Sequence, residues 1–174
     1  YYRSQENSFT DGSSWTRGYA TMNYTIIRFA DVLLMAAEAE VEAGSLATAL
    51  DYVNQVRRRA ANSEYWVKEY DSADNAANYV ISEYTSFPNA DFARDAVRFE
   101  RKLELSGEGH RFFDLVRWGV ASEELNAYLD YESTLLITKF GGASFTSGKN
   151  EYLPIPQSQI DITGADILSQ NPGY

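Results

Sequence analysis

Three glutamates, Glu100, Glu104 and Glu108, recur every fourth residue. Paired carboxylates are how most glycosidases work, one as acid and one as base or nucleophile. Glu100 and Glu104 stand at i, i+4 and so share a helix face. The same stretch holds Arg101, Arg111 and Arg117, and guanidinium–carboxylate pairing fixes geometry as well as charge. Salt bridging by these arginines is therefore the expectation, and no catalytic residue is assigned. The single histidine, His110, lies beside a glycine turn among Arg and Glu. It reads as a surface or capping group. With one histidine and no cysteine, disulfides, thiolate catalysis and a zinc site of several histidines are excluded. Asp11-Gly12 and Asp71-Ser72-Ala73-Asp74-Asn75 supply oxygens without the spacing of a calcium loop. Neither metal nor cofactor is expected.

Binding chemistry is written in the aromatic residues. Trp15, Tyr19 and Trp66 fall in polar stretches outside any helical periodicity, with Tyr1, Tyr2, Tyr65 and Tyr70 nearby. An exposed ring can stack on the C–H face of a sugar while Asn, Asp and Arg bond its hydroxyls. These three are the candidate ligand-binding residues. The competing reading is that the rings anchor their loops to the scaffold. Trp118, Phe112 and Phe113 stand at core spacing on a helix and read as packing.

The elements that must hold these groups are helical. From residue 24 to 43, Ile27, Ala30, Leu33, Leu34, Ala37 and Val41 follow the i, i+3, i+4, i+7 rule, with Asp31, Glu38 and Glu42 off the stripe. Gly44 is expected as a left-handed cap, and Ser45 as the N-cap of a second helix running to about Ala60. So short a link requires an antiparallel αα-hairpin. Gly44, Ala49 and Val53 sit where a tetratricopeptide-like unit wants small and apolar residues. Residues 61–90 read as an irregular insertion with a short helix at 73–84. A long helix at 91–106 is expected to turn Phe92, Ala96, Phe99 and Leu103 inward. Gly107 and Gly109 make a turn, and helices carrying Phe112 to Trp118 and spanning 121–131 follow. The last third loses helical period. Tyr152-Leu153-Pro154-Ile155-Pro156 is extended, because each proline pushes its predecessor into β or polyproline space. Gln170-Asn171-Pro172-Gly173-Tyr174 is a turn. The fold is thus mostly α, with tetratricopeptide-like helix pairs and long irregular loops, as one domain over residues 1–174.

The chain of 174 residues carries 15 basic and 25 acidic side chains, a net charge of −10. Such a balance gives no electrostatic ground for binding nucleic acid or an anionic membrane surface. No apolar run is long enough to span a bilayer as a helix. Tyr1-Tyr2-Arg3-Ser4 shows no initiating Met, no apolar leader and no lipid-acceptor Cys, so the start reads as an internal cut point.

Four motifs in order carry a family resemblance. Arg28-Phe29-Ala30-Asp31-Val32-Leu33-Leu34-Met35-Ala36-Ala37-Glu38-Ala39 resembles the Arg-x-Ala-Glu/Asp-x-x-Leu-x-x-Ala-Glu-Ala helix of SusD/RagB proteins. Asn54-Gln55-Val56-Arg57-Arg58-Arg59-Ala60 resembles their Asn-x-Val-Arg-x-Arg-Ala. Glu100-Arg101-Lys102-Leu103-Glu104-Leu105, then Glu108-Gly109-His110-Arg111 through Trp118, resembles their Glu-Arg-x-x-Glu-Leu and Glu-Gly-x-Arg…Asp-Leu-x-Arg-Trp. Leu153-Pro154-Ile155-Pro156 and the final Gln170 to Tyr174 match the closing signature.

The resemblance implies a tetratricopeptide-type scaffold bearing ligand-binding loops. It implies a non-catalytic, lipid-anchored protein on the outer face of the outer membrane. Such a protein captures oligosaccharide or peptide nutrients and acts as a lid over a SusC-type TonB-dependent transporter. The anchor and an N-terminal part of the family protein would lie outside this chain. Because the family's binding residues sit in variable loops, none is transferred by motif. Two rival functions are a helical-repeat interaction scaffold without a small ligand and a glycoside hydrolase. Independently of family, Arg28, Arg57, Arg59, Arg101, Arg111 and Arg117 interleave with Asp31, Glu38, Glu100, Glu104, Glu108 and Asp114, a pattern that would fix the register of stacked helices.

Overall fold

The computed structural model describes residues 25–174, and their secondary structure is helical, with no strand among them. They belong to two compact units, one through Glu104 and one from Leu105. Among the described residues no helix is long and apolar enough to cross a membrane.

In the first unit, α1 (Phe29–Ala43) and α2 (Leu46–Ala61) form the expected antiparallel hairpin, and both pack on α3 (Ala90–Glu104). Ser45 caps α2, its hydroxyl accepting from the Thr48 amide at 3.5 Å. Gly44 serves the turn in a different way from the one expected. Its φ of −133° and ψ of −124° are not left-handed. A Cβ there would stand 2.0 Å from Glu40 Oε2, and that oxygen is committed to the Ser45 amide at 2.8 Å. The glycine makes room for a carboxylate that holds the inter-helix link.

Leu34, Ala37, Ala49, Val53, Val56, Ala93 and Val97 form the shared core. Fully burying a side chain such as Leu34 or Val53 contributes roughly 1.5–3 kcal/mol. Two expectations fail here. Asp31, placed off the apolar stripe by periodicity, is buried, while Ile27 is exposed. On α3 the inward face is Ala93, Ala96, Val97, Glu100 and Arg101. Phe92, Phe99 and Leu103 are instead 43%, 50% and 53% exposed. Three helices in mutual contact leave space for small side chains at their centre, so size, and not hydrophobicity alone, decides which face turns in.

The charged motifs tie the three helices. Asp31 accepts from Arg101 at 2.8 Å, and both side chains are about 5% exposed or less. Glu100 accepts from Arg57 at 2.6 Å. Glu104 accepts from Arg59 at 2.5 Å and also from Arg28. The interleaved charges therefore link α1, α2 and α3, but the partners of Glu100 and Glu104 differ from those expected. They come from the hairpin because neighbours on a helix point about 100° apart, and Arg101 faces Asp31.

In the second unit, α4 (Arg111–Arg117) and α5 (Ala121–Leu135) pack together, and α6 (Ile137–Phe140) packs on α5. A final short helix, α7, spans Gln157–Thr163. The helices at 137–140 and 157–163 were not legible as periodicity, being too short to show it. Phe113, read as packing, is 70% exposed. Two guanidiniums lie over the Trp118 ring, Arg117 at 4.9 Å and Arg111 at 5.8 Å from its centroid.

The closing signature is a clamp built from side-chain amides. Gln170 Oε1 accepts from the Ile155 amide at 2.7 Å, and its Nε2 donates to the Ile155 carbonyl at 2.9 Å. Asn171 Nδ2 donates to the Leu153 carbonyl at 2.7 Å, and the Tyr174 hydroxyl donates to the Tyr152 carbonyl at 3.0 Å. The flanking prolines leave this extended segment without a ladder partner, and the terminal side chains supply one.

Candidate ligand-binding site

The ring-bearing segment in the first unit is the insertion between α2 and α3. It leaves α2 through a 3-10 turn at Ser63–Tyr65, with Asn62 capping it through the Glu64 amide at 3.1 Å. Trp66 follows at once. Its indole Nε1 donates back to the Ala60 carbonyl at 3.0 Å, so the ring is fixed against the end of α2. Its face stacks on Tyr79 with centroids 4.8 Å apart and planes 18° apart. The Tyr79 hydroxyl accepts from the Val67 amide at 3.2 Å.

Between these two rings the chain makes a narrow turn over residues 67–76. Ala76 N donates to Val67 O at 2.9 Å, and Glu69 N to Asp74 O at 3.0 Å. Lys68 and Asn75 form an antiparallel bridge and pair side chains at 2.5 Å. Asp71 takes a φ of +54°, a region Asp tolerates better than most residues. No helix forms at 73–84, contrary to the expectation. The Asn, Ser and Asp there bond locally to backbone, as the Ser72 hydroxyl does in accepting from the Asp74 amide at 3.0 Å. At the tip of the turn Tyr70 is 95% exposed, and Tyr65 at its base is 70% exposed.

The return segment is gripped by α2. Asn54, itself buried, donates from Nδ2 to the Tyr84 carbonyl and accepts the Tyr84 amide on Oδ1, both at 2.9 Å. Arg57 donates through Nε to the Ser82 carbonyl at 2.5 Å and lies 4.8 Å from the Tyr84 ring centroid. Tyr84, Phe87 and Phe92 close the base as a ring cluster with centroids 5.6–6.2 Å apart. Burial raises the affinity of the Tyr84 hydroxyl for its proton. The Asn-x-Val-Arg motif thus has a physical task. Asn54 and Arg57 hold the insertion, and Val56 between them packs in the core.

Of the three residues singled out from sequence, Trp66 is placed here, half-buried and bonded on one edge. Trp15 and Tyr19 lie outside the described residues. Sequence reasoning named Tyr65 and Tyr70 only as neighbours of Trp66. Their exposure is the signal it lacked. Among the described residues no group of three or more His, Cys, Asp or Glu could hold a metal ion. Glu100 and Glu104, the carboxylates best spaced for catalysis, are both bound by arginine. Burial raises the proton affinity of Glu100, with the Arg57 hydrogen bond working against it.

The SusD family pattern matches this chain across residues 1–174, and the chain belongs to that family. Two SusD-like proteins of Formosa agariphila are similar to it. One is 39% identical over 100 residues, covering 56% of this chain and 16% of its own length. The other is 27% identical over 158 residues, covering 89% and 26%. The crystal structure of a SusD superfamily protein from Bacteroides vulgatus superposes with a TM-score of 0.61 at 31% identity. That match covers 86% of this chain and 27% of the other. The mostly helical fold is therefore that of the SusD superfamily, and the chain spans about a quarter or less of the length of these relatives.

Proposed function

We propose that this chain is part of a non-catalytic receptor that binds oligosaccharide, or peptide, at the cell surface. It delivers the ligand to a SusC-type TonB-dependent transporter in the outer membrane, where a lipid anchor holds the receptor. The observation that carries this reading is membership of the SusD family over the whole of residues 1–174. The insertion supports it, being an irregular, aromatic-rich segment fixed at both ends to a rigid helical hairpin. Trp15, Tyr19 and Trp66 are the proposed ligand contacts. The engagement of Glu100 and Glu104 by arginines favours a structural role for them over acid–base work.

Binding of this kind rests on a few stacked rings and a hydrogen-bonding rim. Its affinity is on the order of micromolar to millimolar, about −8 to −4 kcal/mol. The test is calorimetric titration of the intact parent protein with polysaccharides, oligosaccharides and peptides, repeated with Trp15→Ala and Trp66→Ala. Saturable binding to one ligand class, weakened by either substitution, is the expected result. A parent protein that binds none of them would overturn the reading.

One observation favours a second reading. Trp66 already spends its N–H on Ala60 and one face on Tyr79, as a ring that anchors a loop would. In that case the helix faces bind protein and the insertion binds nothing. Retained binding to the transporter together with silence towards every soluble ligand would distinguish it.

A further inference from the structure

The end of the hairpin where α1 begins and α2 finishes carries a feature that the reading above does not use. A groove of about 380 Å³ opens there between the two helices. Phe29, Leu33 and Val56 give it apolar walls, and Arg28 and Arg59 give it two guanidiniums. Its volume falls within the roughly 300–1,000 Å³ of small-molecule sites, which combine such walls with a few placed polar groups.

Arg28 and Arg59 both pair with one carboxylate, Glu104. Glu104 is nearly buried, whereas the Arg59 side chain is 56% exposed. Arg59 reaches Glu104 only through Nη2. Among the described residues its Nη1 and Nε make no further hydrogen bond. Beside an apolar wall, then, stands a guanidinium with donors to spare, and such donors bond carboxylates strongly.

We propose that this groove binds a small apolar monocarboxylate. The hydrocarbon lies on Phe29, Leu33 and Val56, and the carboxylate accepts from Arg59 Nη1. A single charge is favoured over several, because the chain's net charge of −10 repels polyanions at long range.

The test is titration of the intact parent protein with octanoate and with octan-1-ol, followed by calorimetry. Octanoate should bind saturably with a Kd below about 1 mM, and the alcohol about tenfold or more weakly. Arg59→Gln should weaken octanoate about tenfold while leaving the alcohol unchanged. Phe29→Ala removes a ring that is 71% exposed and leaves the Glu104 pairs intact, so it keeps the test independent of folding. It should weaken both ligands. Arg94→Gln, in the pair with Glu42, should change neither. Absence of saturation, equal binding of acid and alcohol, or octanoate binding indifferent to either Arg59→Gln or Phe29→Ala would overturn the proposal.

Discussion

Glu100 is a carboxylate under two opposed influences. Burial favours its neutral form, the Arg57 hydrogen bond favours its charged form, and burial prevails. The native state therefore binds this proton more tightly than the unfolded chain does. Its contribution to stability is present below the ordinary carboxylate range and is lost as pH rises through the raised value. Glu100→Gln removes that dependence. The stability of the native chain relative to this variant should grow as pH falls from neutral through the ordinary carboxylate range, read from urea midpoints across that interval. A constant difference would count against the burial argument. Glu42 has the opposite sign. The Arg94 hydrogen bond holds its proton affinity down, so its share is lost on acidification, and its exposure keeps that share small.

At the scale of the element, the grip of α2 on the insertion is the testable feature. Asn54→Ala leaves the Tyr84 amide and carbonyl without their partners. About 1–3 kcal/mol of stability should be lost, with amide exchange rising first around Tyr84 while α1 keeps its protection. The hairpin, the Ser45 cap and the approximate bounds of α2 and α3 were legible, since periodicity and capping chemistry are local signals. The inward face of α3 was not. Phe92, Phe99 and Leu103 form the better apolar stripe, yet the space beside α1 and α2 admits Ala93, Ala96 and Val97. Spacing along one helix does not encode the width left by two others. Gly44 shows the same limit, because its neighbour Glu40 is a side-chain carboxylate folded back over the turn. In the candidate site, ring type was legible and ring partnership was not. Trp66 and Tyr79 are thirteen residues apart in a segment without period, and only the turn over 67–76 brings them together.

At the scale of the whole molecule, the two compact units have separate means of closure. The first relies on buried ion pairs between helices, and the second on the amide clamp at its end. Gln170→Ala should therefore lower stability by about 1–3 kcal/mol and expose the backbone of residues 152–156 to exchange. Protection at Tyr84 in the first unit should stay within error, as measured by hydrogen exchange with mass spectrometry. Equal loss in both units would show that they unfold as one.

The grip of Asn54 and Arg57 on the insertion has a consequence for how such a chain can diversify. Both reach main-chain atoms of the segment they hold, the amide and carbonyl of Tyr84 and the carbonyl of Ser82. Every amino acid offers that carbonyl, and every one except proline that amide. At this end the fastening is therefore largely blind to the identity of what it fastens, whereas the other end depends on the Trp66 indole that bonds the Ala60 carbonyl. A replacement sequence in the turn over 67–76 would therefore leave both fastenings, and the hairpin that carries them, as they are.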